Sequence, residues 1–378
     1  MQTEPTQKKR PTSVASVPAV FCILLVLLVS LILAATGFDY APLDPAEDVK
    51  ISNRFNSLVA DAMTQAENAA LSVPKRFWLD EDTLIAPVPD PEKFGSTDDP
   101  SSLQWLLDDA ADVLEGQSTL FSTDIKLLPR SQVMYYLDDT IFAVTWKQGI
   151  SKTAYTISEI KVKDPSQFRR YLADGTYENP KRYAPSTMAR TVNAVVGSSA
   201  DHYLGRRRGI IVYDGEVKRV DDADKVDICY IDDKGNLIFT HRGDLTGMED
   251  AQAFVDKHNI QFSMAFGPIL VENGQRCEPD RYLLGETNDN YARAALCQLD
   301  ELHYLVVTAN AEPGYVHSPN IHSFAEVISS FGPRMAYTLD GGNSGSIVMN
   351  GKLINKTPFG YERIQGDIIY FCTAIPNT

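Results

Sequence analysis

The pattern of apolar and polar positions divides the chain into unlike parts. From Val17 to Gly37 nearly every residue is apolar, and no charge occurs between Pro11 and Phe38. A spanning helix needs about 20 such residues. Over 48–72, Ile51, Phe55, Leu58, Ala62 and Ala66 recur at helical spacing. Five prolines then break the pattern between Pro74 and Pro100, which reads as a linker. A second helix is predicted over 100–116, with Asp99 as cap and Pro100 in its first turn. Leu103, Leu106, Leu107, Ala110 and Leu114 form its apolar face, and Gly116 is its stop.

After Ser118 the texture turns to β-branched and aromatic runs, such as "VMYYLDDTIFAVTW" and "KTAYTISEIKV". "VKDPSQFRRYLA" reads as a helix capped by Asp164. "IHSFAEVISSFG" reads as another, with Ser323 and Glu326 as a capping box and Phe324, Val327, Ile328 and Phe331 inward. Three apolar pairs flank an X-Gly dipeptide: "IIVYDGEVKRV", "ILVENGQR" and "SIVMNGKLI". Asp-Gly and Asn-Gly accept positive φ at both central positions, so each predicts a tight hairpin. The expected fold is α+β, a mixed and largely antiparallel sheet with flanking helices. One transmembrane helix and a helical stalk precede it. The divisions are a tail over 1–16, an anchor over 17–37, a stalk and linker with two helices over 38–117, and a main domain over 118–378.

Charge adds direction. Lys8, Lys9 and Arg10 precede the apolar run and Asp39 follows it, which places the N-terminus in the cytoplasm and the remainder outside. A cleaved signal peptide is the competing reading, but its apolar core is about 7–15 residues and this one is longer. The net charge of -15 argues against non-specific nucleic-acid binding, which needs basic surface. Cys229, Cys297 and Cys372 lie in strand-like apolar runs and read as buried thiols. There is no C-x-x-C pattern. The sequence identifies no cofactor and no metal-ligand set. "DDKGN" at 232–236 lacks the spaced acids of a calcium loop and reads as a turn. "GRRRG" at 205–209 is a candidate for binding anionic glycans, but reads first as a solvated loop.

The glycine-rich stretch "LDGGNSGS" at 339–346 has several readings. Ser344 between glycines echoes a serine nucleophile, but none of the six histidines lies in a matching motif. A nucleophile elbow, G-x-S-x-G, is not matched. An anion cradle is the alternative: Gly341 and Gly342 let N–H groups converge, Ser344 adds a hydroxyl, and Asp340 stands at the rim. A plain turn before a hairpin is the bland reading.

Five stretches in order resemble the phosphodiester glycosidase domain family. They are "NAVVGSSADHYLGRRRGIIVYDGEVKR", "FSMAFGPILVENGQ", "NYARAALCQLDELHYLVV", "AYTLDGGNSGSIVMNGKLIN" and "YERIQGDIIYF". Asp201 matches the acid of the family's Asn-Gly-Asp, although Ser199 and Ala200 precede it here. Gly267 and Pro268 match F-G-P, and Arg293 matches the arginine of P-R-T-A-I-G. Asp340, Gly341, Gly342 and Ser344 match D-G-G-G-S-S, with Asn343 and Gly345 differing. Glu362 and Arg363 match a late E-R pair. The resemblance implies hydrolysis of a sugar–phosphodiester bond in an envelope or extracellular glycan, in a bacterial setting. Glycoside cleavage commonly uses two carboxylates, for which Asp201, Asp340 and Glu362 are the candidates. Arg293 and then Arg363 are the candidates for gripping phosphate, because a guanidinium fork matches its oxygens. A glycan-binding or envelope-assembly module that keeps the fold is the rival reading.

Overall fold

The computed structural model describes residues 86–178, 181–277 and 289–375. The anchor expected at 17–37, the tail expected before it and the helix expected at 48–72 lie outside the described residues. Among the described residues, no helix is long and apolar enough to cross a membrane.

Three sheets dominate, and the strand pairings within them are antiparallel. The sequence reading expected one sheet. The largest has nine strands in the order Phe94–Thr97, Val133–Leu137, Ile141–Ile150, Thr153–Val162, His303–Asn310, Arg293–Asp300, Met335–Leu339, Ile269–Glu272 and Gln275–Arg276. Its centre is covered on both faces. Ala294 and Leu296 join one core cluster with Phe168, Val196 and Phe371, while Ala295 and Cys297 join another with Leu106, Phe121 and Phe324. Period-two alternation therefore sorts side chains between two cores rather than between core and water.

Two five-stranded sheets complete the architecture. One runs Leu237–Thr240, Ile228–Asp232, Ile260–Met264, Gly209–Tyr213, Glu216–Asp221. The other runs Lys352–Leu353, Ile347–Met349, Val196–Ser199, Asp367–Phe371, Phe168–Leu172. All three predicted hairpins form, with positive φ at Asp214 and Gly215, Asn273 and Gly274, and Asn350 and Gly351.

The helices agree in part. Residues 100–114 form a 3-10 turn followed by two short helices, with Asp99 Oδ1 accepting from Ser101 N at 3.1 Å. The predicted apolar face is buried at Leu103, Leu106, Ala110 and Leu114. The late linker is part of the fold, since Phe94–Thr97 pairs with Val133–Leu137. Helix Ile321–Ser330 buries Phe324 and Ile328, but its cap is Asn320, whose side chain accepts from Ser323 N at 2.9 Å. The helix expected at 162–173 is a correction. Asp164 and Gln167 do form a capping box, but only around a three-residue turn, and Phe168–Leu172 continues as a strand against Asp367–Phe371. Arg169 and Arg170 are both buried there, which strand pairing and internal acceptors permit.

Candidate active site

A cleft of about 330 Å³ opens where strand Met335–Leu339 ends and strand Arg293–Asp300 begins. Segments following Val196–Ser199 and Ile260–Met264 close its other sides. The glycine-rich turn is pulled against these neighbours. Asp340 N donates to Ala200 O at 2.9 Å, and Gly342 N donates to Ala292 O at 2.7 Å. A Cβ on Gly341 would lie 2.5 Å from the Ala292 carbonyl oxygen, so no larger residue fits without moving backbone. Ser344 N and Gly345 N both bond Gly341 O, and Ser346 N bonds Ser199 Oγ. Five amides of this stretch are thus engaged, two within the turn and three with its neighbours. The cleft also carries three cationic side chains, Arg206, Arg293 and Arg363.

The three candidate acids occupy different environments. Asp340 lines the cleft at 8% exposure, and its Oδ2 has no hydrogen-bond partner among the described residues. His202 Nδ1 lies 3.4 Å from that oxygen, without hydrogen-bond geometry. Asp201 does not line the cleft. Its Oδ1 accepts from Arg170 Nη2 at 2.8 Å and Tyr203 N at 2.9 Å, and its Oδ2 accepts from Ala265 N at 2.8 Å. Arg170 also holds Asp367 Oδ2, through Nε at 2.9 Å and Nη2 at 2.6 Å. One guanidinium thus serves two buried carboxylates. Burial pushes the Asp367 carboxyl up to about 8; Arg170 opposes that rise and Asp201 reinforces it. Glu362 also stands outside the cleft. Its Oε2 accepts from Ser186 N at 2.7 Å and so caps helix Pro185–Thr191, whose own Ala184 has no side chain that can do so.

The arginines converge better. Arg293 and Arg363 both line the cleft. Arg293 Nη2 donates to Asp289 O at 2.9 Å, and its guanidinium lies 5.8 Å from the Tyr291 ring centre. Arg363 Nη1 lies 3.4 Å from Ser344 Oγ. Ser344 is fully buried, and its hydroxyl meets Arg363 rather than a histidine, which gives a serine nucleophile no support.

Two cleft residues escaped sequence reasoning. His202 carried one signal, its place directly after Asp201. Arg206 stood in "GRRRG", yet it lines the cleft, donates to Phe266 O at 3.1 Å and stacks 4.7 Å over the Phe266 ring. Its neighbour Arg207 is the solvated one, beside Asp221 at 3.3 Å. Among the described residues no group of three or more His, Cys, Asp or Glu side chains is placed to hold a metal ion. The "DDKGN" segment is a turn, with Asp232 Oδ1 accepting from Lys234 N and Asn236 N. Cys229, Cys277, Cys297 and Cys372 are free, the first and last two of them buried.

These features define a sheet-rich α+β domain whose cleft sets one unsatisfied carboxylate among cationic side chains. Residues 189–372 match the family model of the phosphodiester glycosidases, and over that stretch the chain carries a domain of this family. Three solved structures are similar. The catalytic domain of zebrafish N-acetylglucosamine-1-phosphodiester alpha-N-acetylglucosaminidase, auto-inhibited by its pro-peptide, is 16% identical with a TM-score of 0.49. The alignment covers 62% of this chain and 83% of that one. A hypothetical protein from Synechocystis is 13% identical with a TM-score of 0.50, over 65% and 64% of the two chains. A putative exported protein from Burkholderia pseudomallei is 12% identical with a TM-score of 0.40, over 58% and 74%. The Synechocystis likeness supports the fold; the other two are too distant to add to it. No curated protein matches the chain.

Proposed function

We propose that the cleft hydrolyses the bond between the anomeric carbon of a sugar and a phosphodiester in an envelope or extracellular glycan. The family domain supports the reaction class. The observation that carries the assignment is Asp340. Its Oδ2 is buried at the cleft wall without a hydrogen bond. An unsatisfied buried acceptor costs about 1–3 kcal/mol, which a bound ligand or developing positive charge can offset.

In this reading Asp340 faces the anomeric carbon and stabilises the oxocarbenium-like state. Arg293 and Arg363 hold the phosphate. Water adds to the sugar carbon, the C–O bond to phosphate breaks, and a free sugar and a phosphomonoester leave. A phosphate is a good leaving group, so one carboxylate in the cleft serves where glycoside cleavage commonly uses two. His202, beside Asp340, is the group best situated to take the proton of the incoming water. Asp201 and Glu362 become positioning residues. Asp201 fixes the segment that bears His202, and Glu362 anchors the segment that bears Arg363. The apolar N-terminal run supports tethering to a membrane with this domain outside.

The test is Asp340→Asn assayed across a panel of glycosyl phosphodiesters, with free sugar and phosphomonoester both measured. Turnover should fall by several orders of magnitude while the melting curve stays close to wild type. If Glu362→Gln removes as much turnover as Asp340→Asn and leaves helix Pro185–Thr191 intact, the assignment to Asp340 is wrong. Wild-type protein that binds such ligands and cleaves none would favour the binding-module reading instead.

A further inference from the structure

The loop that delivers Arg363 to the cleft carries exposed aromatic residues that the reaction does not use. Phe359 is 70% exposed and Tyr361 62%, and their ring centres lie 6.2 Å apart with planes tilted by 30°. Exposed rings are ordinary when isolated. An adjacent pair beside a cleft more often marks a ligand surface.

Their backbone is held. Phe359 N donates to Asn343 Oδ1 at 3.0 Å, Asn343 Nδ2 donates to Tyr361 O at 3.4 Å, and Thr357 Oγ1 donates to the same carbonyl at 2.7 Å. Asn343 is itself a cleft residue, in the glycine-rich turn. The side chain that departs from the family's third glycine therefore ties the aromatic loop to the floor of the cleft. Phe359 also lines an open groove of about 660 Å³, together with Glu312, Val316 and Lys356. One loop thus leads from that groove, past both rings, to Arg363.

We propose that Phe359 and Tyr361 form a stacking platform for a second sugar, so that the protein prefers phosphate-linked glycans extending beyond the scissile diester. The occupant is a pyranose of the same substrate, its apolar C–H face laid on the rings and its hydroxyls turned toward Lys356 and Glu312. A ring with an apolar face and polar rim suits an aromatic pair with a wet edge. This rests on the reaction proposed above for its substrate, although the platform can be measured by binding alone.

The experiment compares two probes, the methyl diester of N-acetylglucosamine 1-phosphate and a six-unit oligomer of the same sugar linked through 1-phosphodiesters. Affinities are measured by calorimetry for wild type and for Phe359→Ala/Tyr361→Ala. Both side chains are exposed, so the double variant should fold. Wild type should hold the oligomer about tenfold more tightly, which is about 1.4 kcal/mol. The variant should lose that advantage while its affinity for the methyl diester stays within twofold. Wild-type protein that holds the oligomer no better than the methyl diester overturns the platform, as does a variant that weakens both probes equally. Failure of wild type to cleave either probe counts against the proposed reaction, and the binding comparison still decides the platform.

Discussion

Replacing Asp201 by asparagine separates a buried structural acid from a catalytic one. Three donors converge on its carboxylate, at 2.8, 2.9 and 2.8 Å. An asparagine can turn its oxygen toward Arg170 and Tyr203, but its Nδ2 then points at the Ala265 N–H. A buried donor left without an acceptor costs about 1–3 kcal/mol. The charge change adds to this. Removing one partner of a buried ion pair costs about 3–5 kcal/mol, but loss of Asp201 also removes a charge that keeps the Asp367 carboxyl raised, so Asp367 can ionise against Arg170 at 2.6 Å and the lower end applies. Together the loss is about 4 kcal/mol. That is a large share of a typical stability of about 5–15 kcal/mol. At about 2 °C per kcal/mol for a large domain, the melting midpoint falls by about 8 °C. Urea and thermal unfolding at pH 7 measure the loss. Turnover of a sugar phosphodiester well below the midpoint measures catalysis and should persist. A variant that melts within 2 °C of wild type yet turns nothing over would refute the reasoning and return Asp201 to the chemistry.

Other outcomes follow from the same geometry. Gly341→Ala should destabilise by about 1–3 kcal/mol and misplace Asp340, because its Cβ meets the Ala292 carbonyl at 2.5 Å; unfolding and turnover should fall together. Arg293→Ala should raise KM for phosphodiesters more than it lowers kcat, a loss of about 2–5 kcal/mol in kcat/KM, readable from initial rates. Asp367 has a folded-state value raised to about 8, so its contribution to stability is full below about pH 4 and is lost as pH rises through 8. Asp367→Asn should therefore flatten the decline in wild-type stability between pH 4 and 8, as followed by urea unfolding; an unchanged slope would show that this carboxyl is not the titrating group.

Local chemistry was legible in the sequence and long-range company was not. The Asp-Gly and Asn-Gly dipeptides announced three hairpins because their turn geometry depends on two residues. The cap at Asp164 was equally legible, but it misled, because the strand that pairs with Phe168–Leu172 comes from Asp367–Phe371. Asp340 and its glycines could be singled out by their backbone needs. Asp201 and Glu362 looked like equals of Asp340, since an acid's role depends on what folds around it: Arg170 and two backbone amides in one case, the end of a helix in the other. Arg206 and His202 were hidden for the same reason. Reading one sheet rather than three reflects the same gap, because strand type is a local property and strand partnership is not.

The strand Asp367–Phe371 sits between Val196–Ser199 and Phe168–Leu172 rather than at an edge. During synthesis both neighbours emerge long before it and must wait with open hydrogen-bonding edges. Such edges recruit other chains, and pairing so distant in sequence closes slowly. The same segment brings Asp367 to Arg170, and the loop just before it brings Arg363 to the cleft. A nascent chain therefore acquires its third sheet, its buried charge balance and its complete cleft together, and a partly made chain has none of the three.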